Sequence, residues 1–369
     1  MGGPLRILHV VVNMNRGGAE TLIMNLYRNI DRSAVQFDFL TSRPGVFDDE
    51  IIKLGGKIHR IPYISDVGHF KYIGELEQFF SSHNEYRIVH SHLDKMSGVV
   101  LRSAKKAGIP IRISHSHSTS SEGGYFSKTY KWYSGKLIAK NATHFIACSE
   151  HAARWLFTNN LESTMIIKNG IESEKFSFSP NIRKKMREEL KLDNNIFVIG
   201  HVGRFSHVKN HNFLIDVFAK FVKVKENSVL ILVGEGPLKA NIEKKVKDLN
   251  LEKKVKFTGV RSDIERLLQA FDVFIFPSIF EGLPVSLIEA QGAGLPCLIS
   301  DQVSQDVDLD LNLIKFASLN NQEIWIDGLE ETALRQQKRD FNKNGLVNKG
   351  FDISSTARDM TSYYLQVLR

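Results

Sequence analysis

The sequence predicts an α/β protein made of two similar halves. Short apolar segments alternate with amphipathic ones along most of the 369 residues, as in helices packed on parallel sheets. The alternation weakens around residues 171–191, where Ser173–Pro180 reads as a connector, and then restarts. A chain of this length can bury the cores of two domains. We therefore expect a domain boundary near residues 172–180.

The two halves contain similar runs of predicted strands and helices. First-half strands are predicted at Ile7–Val12, Phe37–Leu40, Lys57–Ile61, Ile88–His90, Ile111–His115, His144–Ala147 and Ile166–Lys168, with helices at Glu20–Ile30, Phe70–Ser82 and Met96–Ala107. Second-half strands are predicted at Phe197–His201, Val229–Val233, Lys254–Thr258, Asp272–Phe276 and Pro296–Ser300, with helices at Asn181–Leu190 and Ile353–Leu368. Ligands of open α/β sheets bind beyond the carboxyl ends of the strands. Site residues are therefore expected in the loops after strands, in the cleft between the domains.

The composition is that of an ordinary globular protein, with 42% hydrophobic and 24% charged residues. No segment approaches the roughly 18 consecutive apolar residues of a membrane span. The run Ile7–Val12 is too short for a secretion signal, which predicts a cytoplasmic protein. Cys148 and Cys297 are interpreted as buried thiols. The net charge of +8 suits an anionic membrane surface, nucleic acid or a phosphorylated substrate, and it does not choose among them.

The segment Phe276–Ser300 carries the strongest functional signal. A loop with Glu281 and Gly282 follows a strand, and Pro284 stands where a helix can begin, because proline is favoured at the first helical position. Glu289 falls inside that helix. Free N–H groups at a helix N-terminus attract an anion, whereas the two carboxylates are better partners for sugar hydroxyls. This arrangement predicts a nucleotide-sugar site.

A glycine loop follows the first strand of each half. Gly17 and Gly18 precede the first helix, and Gly203-Arg204 is followed by Lys209. Glycines let the backbone approach a ligand closely, and Arg204 with Lys209 could converge on a diphosphate. A tight turn and solvated loop cations are the ordinary alternatives. Neither loop matches the G-x-G-x-x-G fingerprint or the P-loop, which disfavours nicotinamide-dependent and nucleoside-triphosphate enzymes.

Weaker candidates follow other strands. Gly234 opens a close turn, and Val260-Arg261 could line a base pocket with backbone atoms. His115 and His117 lie on one side if their strand continues, and His117 is the one nearer the cleft. A lone histidine is nevertheless more often structural.

Two further segments each have an ordinary and a functional interpretation. Asp306 and Asp308 have the D-x-D spacing of a divalent-metal site, but an acidic surface turn is favoured and no metal is expected. Tyr125–Lys136 interleaves aromatic residues with lysines. It could rest on an anionic membrane or a lipid-linked acceptor, or it could be an ordinary amphipathic helix with a solvated basic face.

Together these motifs resemble glycosyltransferase family four, a family of retaining enzymes with the GT-B fold. The most specific match is the E-x7-E spacing from Glu281 to Glu289, and the likeness spans essentially the whole chain. Supporting matches are Gly17–Glu20, Ser149–Ala152, Asn169–Ile171 and Gly203-Arg204 with Lys209. The order of the motifs is similar to that of bacterial exopolysaccharide and capsular polysaccharide enzymes.

The resemblance implies two Rossmann-like domains that face each other across a cleft. Residues 1–172 would form the acceptor-side domain and residues 173–352 the nucleotide-sugar domain, with the helix 353–369 packing back on the first. The implied enzyme moves a hexosyl or N-acetylhexosaminyl group from a nucleotide sugar, with UDP favoured by family frequency, to a glycan or lipid-linked acceptor. It would need no metal or other cofactor and bind no nucleic acid, and it could contact the inner face of the cell membrane.

The resemblance also implies roles for single residues. Arg204 and Lys209 would bind the diphosphate, Glu289 the ribose, and His117 the sugar hydroxyls near the reaction centre. The transferred sugar would be held by Glu281 and by the backbone of Gly282, Leu283, Pro284 and Val285. Also implied in the donor site are Gly17, Gly18, Gly203, Gly234, Val260 and Arg261. The catalytic group would comprise His117, Glu281, Arg204 and Lys209.

Two other function classes compete with this one. A nucleotide-sugar 2-epimerase of similar fold is the first, and a non-catalytic scaffold that binds a membrane or a partner is the second. The Glu281–Glu289 spacing and the Gly17-Gly18 loop favour a transferase over an epimerase. The full set of expected polar site residues disfavours a scaffold.

Overall fold

The computed structural model describes residues 3–118, 120–121, 124–281, 283–335, 339 and 343–368, without the side chains of residues 343 and 344. The chain forms two compact units, which we call the first and the second unit. The first comprises Met1–Gly170 with Gly350–Arg369, and the second comprises Ile171–Lys349.

The first unit is built on a seven-stranded parallel sheet of order β3-β2-β1-β4-β5-β6-β7. Its strands are β1 (Leu5–Val10), β2 (Val35–Thr41), β3 (Ile58–Arg60), β4 (Ile88–Ser91), β5 (Ile111–Ser116), β6 (His144–Ala147) and β7 (Thr164–Ile166). Its first seven helices are α1 (Gly18–Asn29), α2 (Asp48–Lys53), α3 (Ile64–Val67), α4 (His69–Ser82), α5 (Ser97–Lys106), α6 (Tyr125–Asn141) and α7 (Glu150–Leu156).

The second unit has a six-stranded parallel sheet of order β10-β9-β8-β11-β12-β13. Its strands are β8 (Phe197–Val202), β9 (Ser228–Val233), β10 (Val255–Gly259), β11 (Val273–Phe276), β12 (Cys297–Ser300) and β13 (Ile314–Ala317). Its helices are α8 (Ser173–Phe176), α9 (Pro180–Glu189), α10 (His211–Val224), α11 (Lys239–Asp248), α12 (Ile264–Ala270), α13 (Val285–Gly292), α14 (Gln322–Leu334) and α15 (Lys343–Asn348).

The last helix, α16 (Ile353–Gln366), belongs to the first unit. Its buried residues recur at helical spacing and join the core on one face of the first sheet: Ile353, Ala357, Met360 and Tyr364. Side chains alternate along a strand, so Ile7 of β1 lies in this core while the adjacent Leu8 lies in the core on the other face. Both faces of the first sheet are therefore covered, as expected for parallel strands.

The α/β class with two parallel sheets is confirmed. β13 is missing from the predicted strands because it alternates between half-buried and exposed positions at the edge of its sheet and lacks a continuous apolar run. The strand predicted at Ile166–Lys168 is wrong by two residues, since β7 occupies Thr164–Ile166. Among the helices of the described residues, none is both long and apolar enough to cross a membrane.

Candidate functional site

Five histidines meet at the carboxyl end of the first sheet, and we call them the histidine cluster: His9, His90, His92, His115 and His117. The backbone register explains the meeting. His9 is paired with His90 across β1 and β4, and His90 is paired with Ile113 on β5. Residues two and four positions beyond Ile113 point to the same face, which adds His115 and His117. The ring centres of His90 and His92 lie 4.2 Å apart, and those of His115 and His117 lie 4.0 Å apart.

The rings of the histidine cluster are joined by hydrogen bonds between nitrogens. Nδ1 of His9 lies 2.9 Å from Nε2 of His92, and Nδ1 of His92 lies 2.8 Å from Nε2 of His117. In a second series, the Tyr364 hydroxyl lies 2.7 Å from Nδ1 of His90, whose Nε2 lies 3.1 Å from Nδ1 of His115. Each contact needs one N–H or O–H donor and one lone pair.

Burial keeps the histidine cluster neutral. It lowers the pKa of His9 and of His117 to about 3, because a charged imidazolium would lose its hydration. The pKa values of His90, His92 and His115 are also held well below the usual value, first by burial and then by the neighbouring rings. At neutral pH this edge of the first unit therefore carries hydrogen-bonding groups without charge.

Asp94 fixes the position of His117. Its backbone has a φ of +47°, and its Oδ1 accepts a 2.8 Å hydrogen bond from the backbone N–H of His117. Burial raises the pKa of this carboxyl. The sequence analysis selects His117 but misses Asp94 and the joining of the five rings. The repeated His-Ser-His at 90–92 and 115–117 is the signal that could have revealed the cluster.

Histidines of the cluster are also the residues best placed to hold a metal. One nitrogen from each of His9, His90 and His92 lies within 4.8 Å of the others, and the same holds for His92, His115 and His117. Most of their nitrogens are engaged with one another, so a metal bound through those nitrogens would have to break these hydrogen bonds. Asp306, Asp308 and Asp310 form no comparable group among the described residues.

The glycine loop of the first unit lies at the start of α1. Gly17 is the residue before the helix, and a Cβ added there would lie 2.2 Å from a carboxylate oxygen of Glu20. Glycine thus allows the Glu20 side chain to fold back over the helix N-terminus. Burial raises the pKa of Glu20. A Cβ on Gly18 would meet open space, so contact of this glycine with a ligand stays a prediction.

Lys209 and Glu281 are brought together at the carboxyl end of the second sheet. The Nζ of Lys209 lies 2.8 Å from Oε1 of Glu281 and 4.3 Å from the ring centre of Phe276. Their side chains are only 16% and 23% exposed. Backbone bonds hold the two loops in place, since Ile279 N–H donates to the carbonyl of Val208 at 2.8 Å. Residues far apart in the sequence therefore form one cation–carboxylate pair.

Arg204 lies exposed near the start of the same loop and makes no ion pair or side-chain hydrogen bond with the described residues. Its guanidinium keeps its donors for a ligand. Carboxylates and phosphates are the groups that such a planar cation binds in bidentate fashion.

Glycines allow the loops after β8 and β9 to approach each other. Gly234 has a φ of +137°, and a Cβ there would lie 2.2 Å from the carbonyl oxygen of Gly203. A Cβ on Gly203 would lie 3.3 Å from the side-chain stem of Lys209. Gly234 therefore needs a residue without a side chain, whereas a Cβ on Gly203 would crowd the Lys209 stem tightly.

At the predicted base pocket, Val260-Arg261, the Arg261 side chain is already paired. Arg261 makes a bidentate ion pair with Asp263, with N–O distances of 2.8 and 2.7 Å. The adjacent Val260 is 60% exposed. Because the Arg261 side chain pairs with Asp263, the backbone of this loop is the part left for a base, and contact with a base stays a prediction.

Helix α13, which follows the Glu281 loop, begins one residue later than predicted. Pro284 precedes α13 and does not occupy its first helical position, which is Val285. No side chain caps this N-terminus. Leu283 is partly exposed, whereas Gly282 lies outside the described residues. The free N–H groups of the first turn still make an anion site.

Glu289 lies one turn inside α13 and is half-buried. Burial raises the pKa of this carboxyl to about 7, with the charge of Glu265 adding to the effect. A carboxylate in such surroundings is stabilised by hydroxyl donors, which the two adjacent hydroxyls of a ribose would supply.

Exposed aromatic residues mark one side of the first unit, at α6 and at the start of α4. Phe70, Tyr125 and Phe126 are 89%, 81% and 88% exposed, and Trp132 is 55% exposed. Nδ1 of His69 lies 2.5 Å from the Tyr130 hydroxyl, which ties the two helices together. The predicted helix is present, but its aromatic half is exposed and does not pack as the apolar side of an ordinary amphipathic helix would.

Comparisons with known proteins identify the family of the chain. The family described as "Glycosyltransferase Family 4" matches residues 16–175, and the one described as "Glycosyl transferases group 1" matches residues 182–306. A Bacillus subtilis (strain 168) protein, provisionally named as the glycosyltransferase EpsF, is 38% identical over 97% of this chain and 96% of its own length. The Staphylococcus aureus capsular polysaccharide biosynthesis glycosyltransferase CapH is 27% identical over 98% of this chain and 99% of its own length.

An Escherichia coli enzyme named UDP-Gal:alpha-D-GlcNAc-diphosphoundecaprenol alpha-1,3-galactosyltransferase is 32% identical over 59% of this chain and 58% of its own length. Among solved structures, Anabaena HepE in complex with UDP and glucose superposes with a TM-score of 0.80 and 20% identity, over 98% of this chain and all of its own. This structural likeness supports the fold.

Proposed function

The chain belongs to glycosyltransferase family four, and we propose that it moves a sugar from a UDP-sugar to a glycan or lipid-linked acceptor during assembly of an exopolysaccharide or capsule. The observation that carries the proposal is the half-buried Lys209–Glu281 pair, together with the exposed Arg204 in the loop after β8. The capsular polysaccharide role of the CapH relative supports the product class, and the UDP-galactose donor and diphosphoundecaprenol acceptor of the Escherichia coli galactosyltransferase support the substrate classes. The HepE complex with UDP-glucose supports the nucleotide.

The second unit would bind the donor. Arg204 and Lys209 would neutralise the diphosphate without a metal, together with the N-terminus of α13. Lys209 already faces Glu281 at 2.8 Å, so a sugar gripped by this carboxylate would lie next to the phosphate that leaves. The loop at Val260-Arg261 would hold the base through its backbone.

Glu289 would bind the ribose. Its pKa is raised by burial, with the charge of Glu265 adding to the effect. Two ribose hydroxyls would provide hydrogen-bond donors and lower the pKa again, so that donor binding is linked to the loss of a proton near neutral pH.

In the reaction we propose, the bond from the anomeric carbon to the leaving phosphate breaks first, through an oxocarbenium-like transition state. A leaving phosphate oxygen takes the proton of the acceptor hydroxyl, which attacks on the same face, and the anomeric configuration is retained. Arg204, Lys209 and the α13 N-terminus would stabilise the charge that develops on the diphosphate. His117 would contact the sugar hydroxyls, and Gly17 and Gly18 would lie near the phosphates and the acceptor.

Thermal unfolding with a panel of nucleotide sugars tests the donor assignment. A ligand at 100 times its Kd stabilises the folded protein by about 2.7 kcal/mol, so the true donor should raise Tm by several degrees. Lys209→Ala should abolish this rise. The proposal fails if no nucleotide sugar stabilises the wild-type protein.

A product assay with and without acceptor separates the remaining alternatives. A transferase gives a glycosylated acceptor, whereas release of an epimerised sugar without acceptor would identify a 2-epimerase. Absence of any turnover, with donor binding intact, would favour a scaffold.

We also propose that the protein works at the inner face of the cell membrane. The exposed aromatic residues at α4 and α6, interleaved with exposed lysines such as Lys128 and Lys136, suit an anionic bilayer surface. Wild-type protein should co-sediment with phosphatidylglycerol vesicles and only weakly with phosphatidylcholine vesicles. Phe126→Ser combined with Trp132→Ser should weaken this binding several-fold. The control is Leu334→Ser, which changes an 84% exposed residue of the second unit and should leave vesicle binding unchanged. Equal losses of vesicle binding in the control and in the double variant would refute the proposal.

A further inference from the structure

Three rings of the histidine cluster form a continuous chain with a common direction. Nδ1 of His9 meets Nε2 of His92, and Nδ1 of His92 meets Nε2 of His117. The outer nitrogens, Nε2 of His9 and Nδ1 of His117, are buried and have no hydrogen-bond partner among the residues that the structure describes. A series joined in this way ends in one free nitrogen at each side.

Neutral rings couple the tautomers along this chain. A neutral imidazole carries one N–H, and each link needs one donor and one acceptor. The three rings therefore have two consistent arrangements, with the proton on Nε2 of every ring or on Nδ1 of every ring. The state of one ring sets the state of the next.

The arrangement with Nε2 protonated is favoured. Both arrangements leave the same two outer nitrogens without a partner among the described residues, but Nε2–H is the tautomer that an isolated histidine side chain prefers. The Nε2–H of His9 would then lie among the rings of Phe37 and Phe39, whose centres are 4.0 and 5.7 Å from its own, and aromatic faces accept weak N–H contacts.

The second series of the cluster follows the same rule. Burial raises the pKa of Tyr364 well above its ordinary value, so its hydroxyl keeps a proton that it can donate to Nδ1 of His90. When it donates, His90 carries its own proton on Nε2 and donates from there to Nδ1 of His115. The second series is thus compatible with protons on Nε2 throughout the cluster.

We propose that His9 and His92 are positioning residues that hold His117 as the Nε2–H tautomer and leave its Nδ1 as a hydrogen-bond acceptor for the substrate. This inference rests on the proposed contact of His117 with a sugar. The inference fixes the direction of the hydrogen bond between His117 and the sugar: a sugar hydroxyl donates to Nδ1 of His117, and His117 does not donate to the sugar. A ligand that bonds Nδ1 also supplies the partner that this buried nitrogen lacks.

The test uses full-length protein with 15N-labelled histidine, because ring-nitrogen chemical shifts distinguish a protonated from a bare nitrogen. In the wild-type protein, Nε2 of His117 should be protonated and Nδ1 bare. His92→Phe should give a mixture of both tautomers at His117. His92→Asn should restore the wild-type state, since the amide oxygen can accept from His117 as Nδ1 of His92 does.

His90→Phe is the matched control. It removes a buried ring of the same cluster that makes no hydrogen bond to His117, and it should leave the tautomer of His117 unchanged. In the transfer assay, His92→Phe should lower kcat on the order of tenfold, the size of one hydrogen bond, with a smaller change in KM for the donor. His92→Asn should recover most of that loss.

Three results would overturn the inference: a protonated Nδ1 at His117 in the wild-type protein, an unchanged single tautomer in His92→Phe, or a metal ion bound by the cluster on elemental analysis. Failure of the proposed function looks different. If the ring nitrogens behave as described but His117→Ala transfers sugar at the wild-type rate, the tautomer chain stands and the assigned substrate contact does not.

Discussion

The carboxyl ends of the two sheets carry different chemistry. In the first unit this edge presents five imidazoles that burial keeps neutral, whereas in the second unit it presents the ion pair of Lys209 with Glu281 and the exposed Arg204. The two sheets have similar folds, but the carboxyl edge of the first offers neutral hydrogen-bonding groups and that of the second offers charged groups. Under the proposed function, the charged edge suits a diphosphate, which needs cations, and the neutral edge suits hydroxyls, which need directional partners.

Acid should produce the largest difference between the units. A histidine with a lowered pKa stays neutral in the folded state while the unfolded chain takes up a proton below about pH 6.5. Stability is therefore intact above that value and lost as pH falls towards 3, by up to about 1.4 kcal/mol per pH unit for each such ring. The first unit has five such rings in its cluster, whereas His201 and His211 are the two of the second unit with comparably lowered pKa values among the described residues.

Hydrogen exchange followed by mass spectrometry at pH 7 and pH 5 measures this contrast. Peptides of β1, β4 and β5 should lose protection well before those of β8 and β9. Glu289 acts in the opposite sense, since its pKa is raised to about 7 and its contribution falls as pH rises from 4.5 to 7. Equal loss of protection in both units at pH 5 would contradict the comparison.

Lys209→Ala should have the next largest effect. It removes a cation from the proposed diphosphate site and leaves the half-buried Glu281 without its partner, so kcat/KM for transfer should fall on the order of 100- to 1,000-fold. The matched control is Lys220→Ala, whose ion pair with Glu323 is exposed, and it should retain wild-type turnover. Comparable rates for the two variants would mean that the charged edge does not bind the donor.

Glu281→Gln tests the charged edge of the second unit more finely, because it keeps the shape of the side chain and removes its charge. We expect about a thirtyfold loss of transfer, because the amide grips sugar hydroxyls less strongly and no longer balances Lys209. Thermal unfolding without ligand should change little, which separates a lost substrate contact from a damaged fold. Unchanged steady-state kinetics would remove Glu281 from the proposed sugar site.

Gly234→Ala should give the smallest effect, confined to the second unit. The added Cβ would meet the Gly203 carbonyl at 2.2 Å from a backbone with φ of +137°, at an expected cost of about 1–2 kcal/mol in the free energy of unfolding. Urea unfolding measures the loss. The control is Gly74→Ala on α4, where the Cβ meets nothing within 4 Å and alanine should be neutral or stabilising. Equal free energies of unfolding for Gly234→Ala and the wild-type protein would show that the loops after β8 and β9 tolerate a wider separation.

The sequence predicts the fold better than it predicts the site of the first unit. Alternating apolar runs are enough for two parallel sheets, and the E-x7-E spacing leads to the charged edge because Glu281 and Glu289 flank a single helix start. The Lys209–Glu281 pair and the histidine cluster depend on contacts between loops and strands distant in sequence. Asp94 could not be found, because its positive φ and its bond to the His117 backbone have no local pattern.

The position of α16 has a consequence for synthesis of the chain. The second unit is one continuous segment, Ile171–Lys349, and can fold as soon as it leaves the ribosome. The first unit begins earlier but must wait for the last residues, because Met360 and Tyr364 complete its core and the Tyr364 hydroxyl supplies the bond to His90. The histidine cluster is therefore assembled last, and a chain truncated before α16 would have a finished second unit and an unfinished first one.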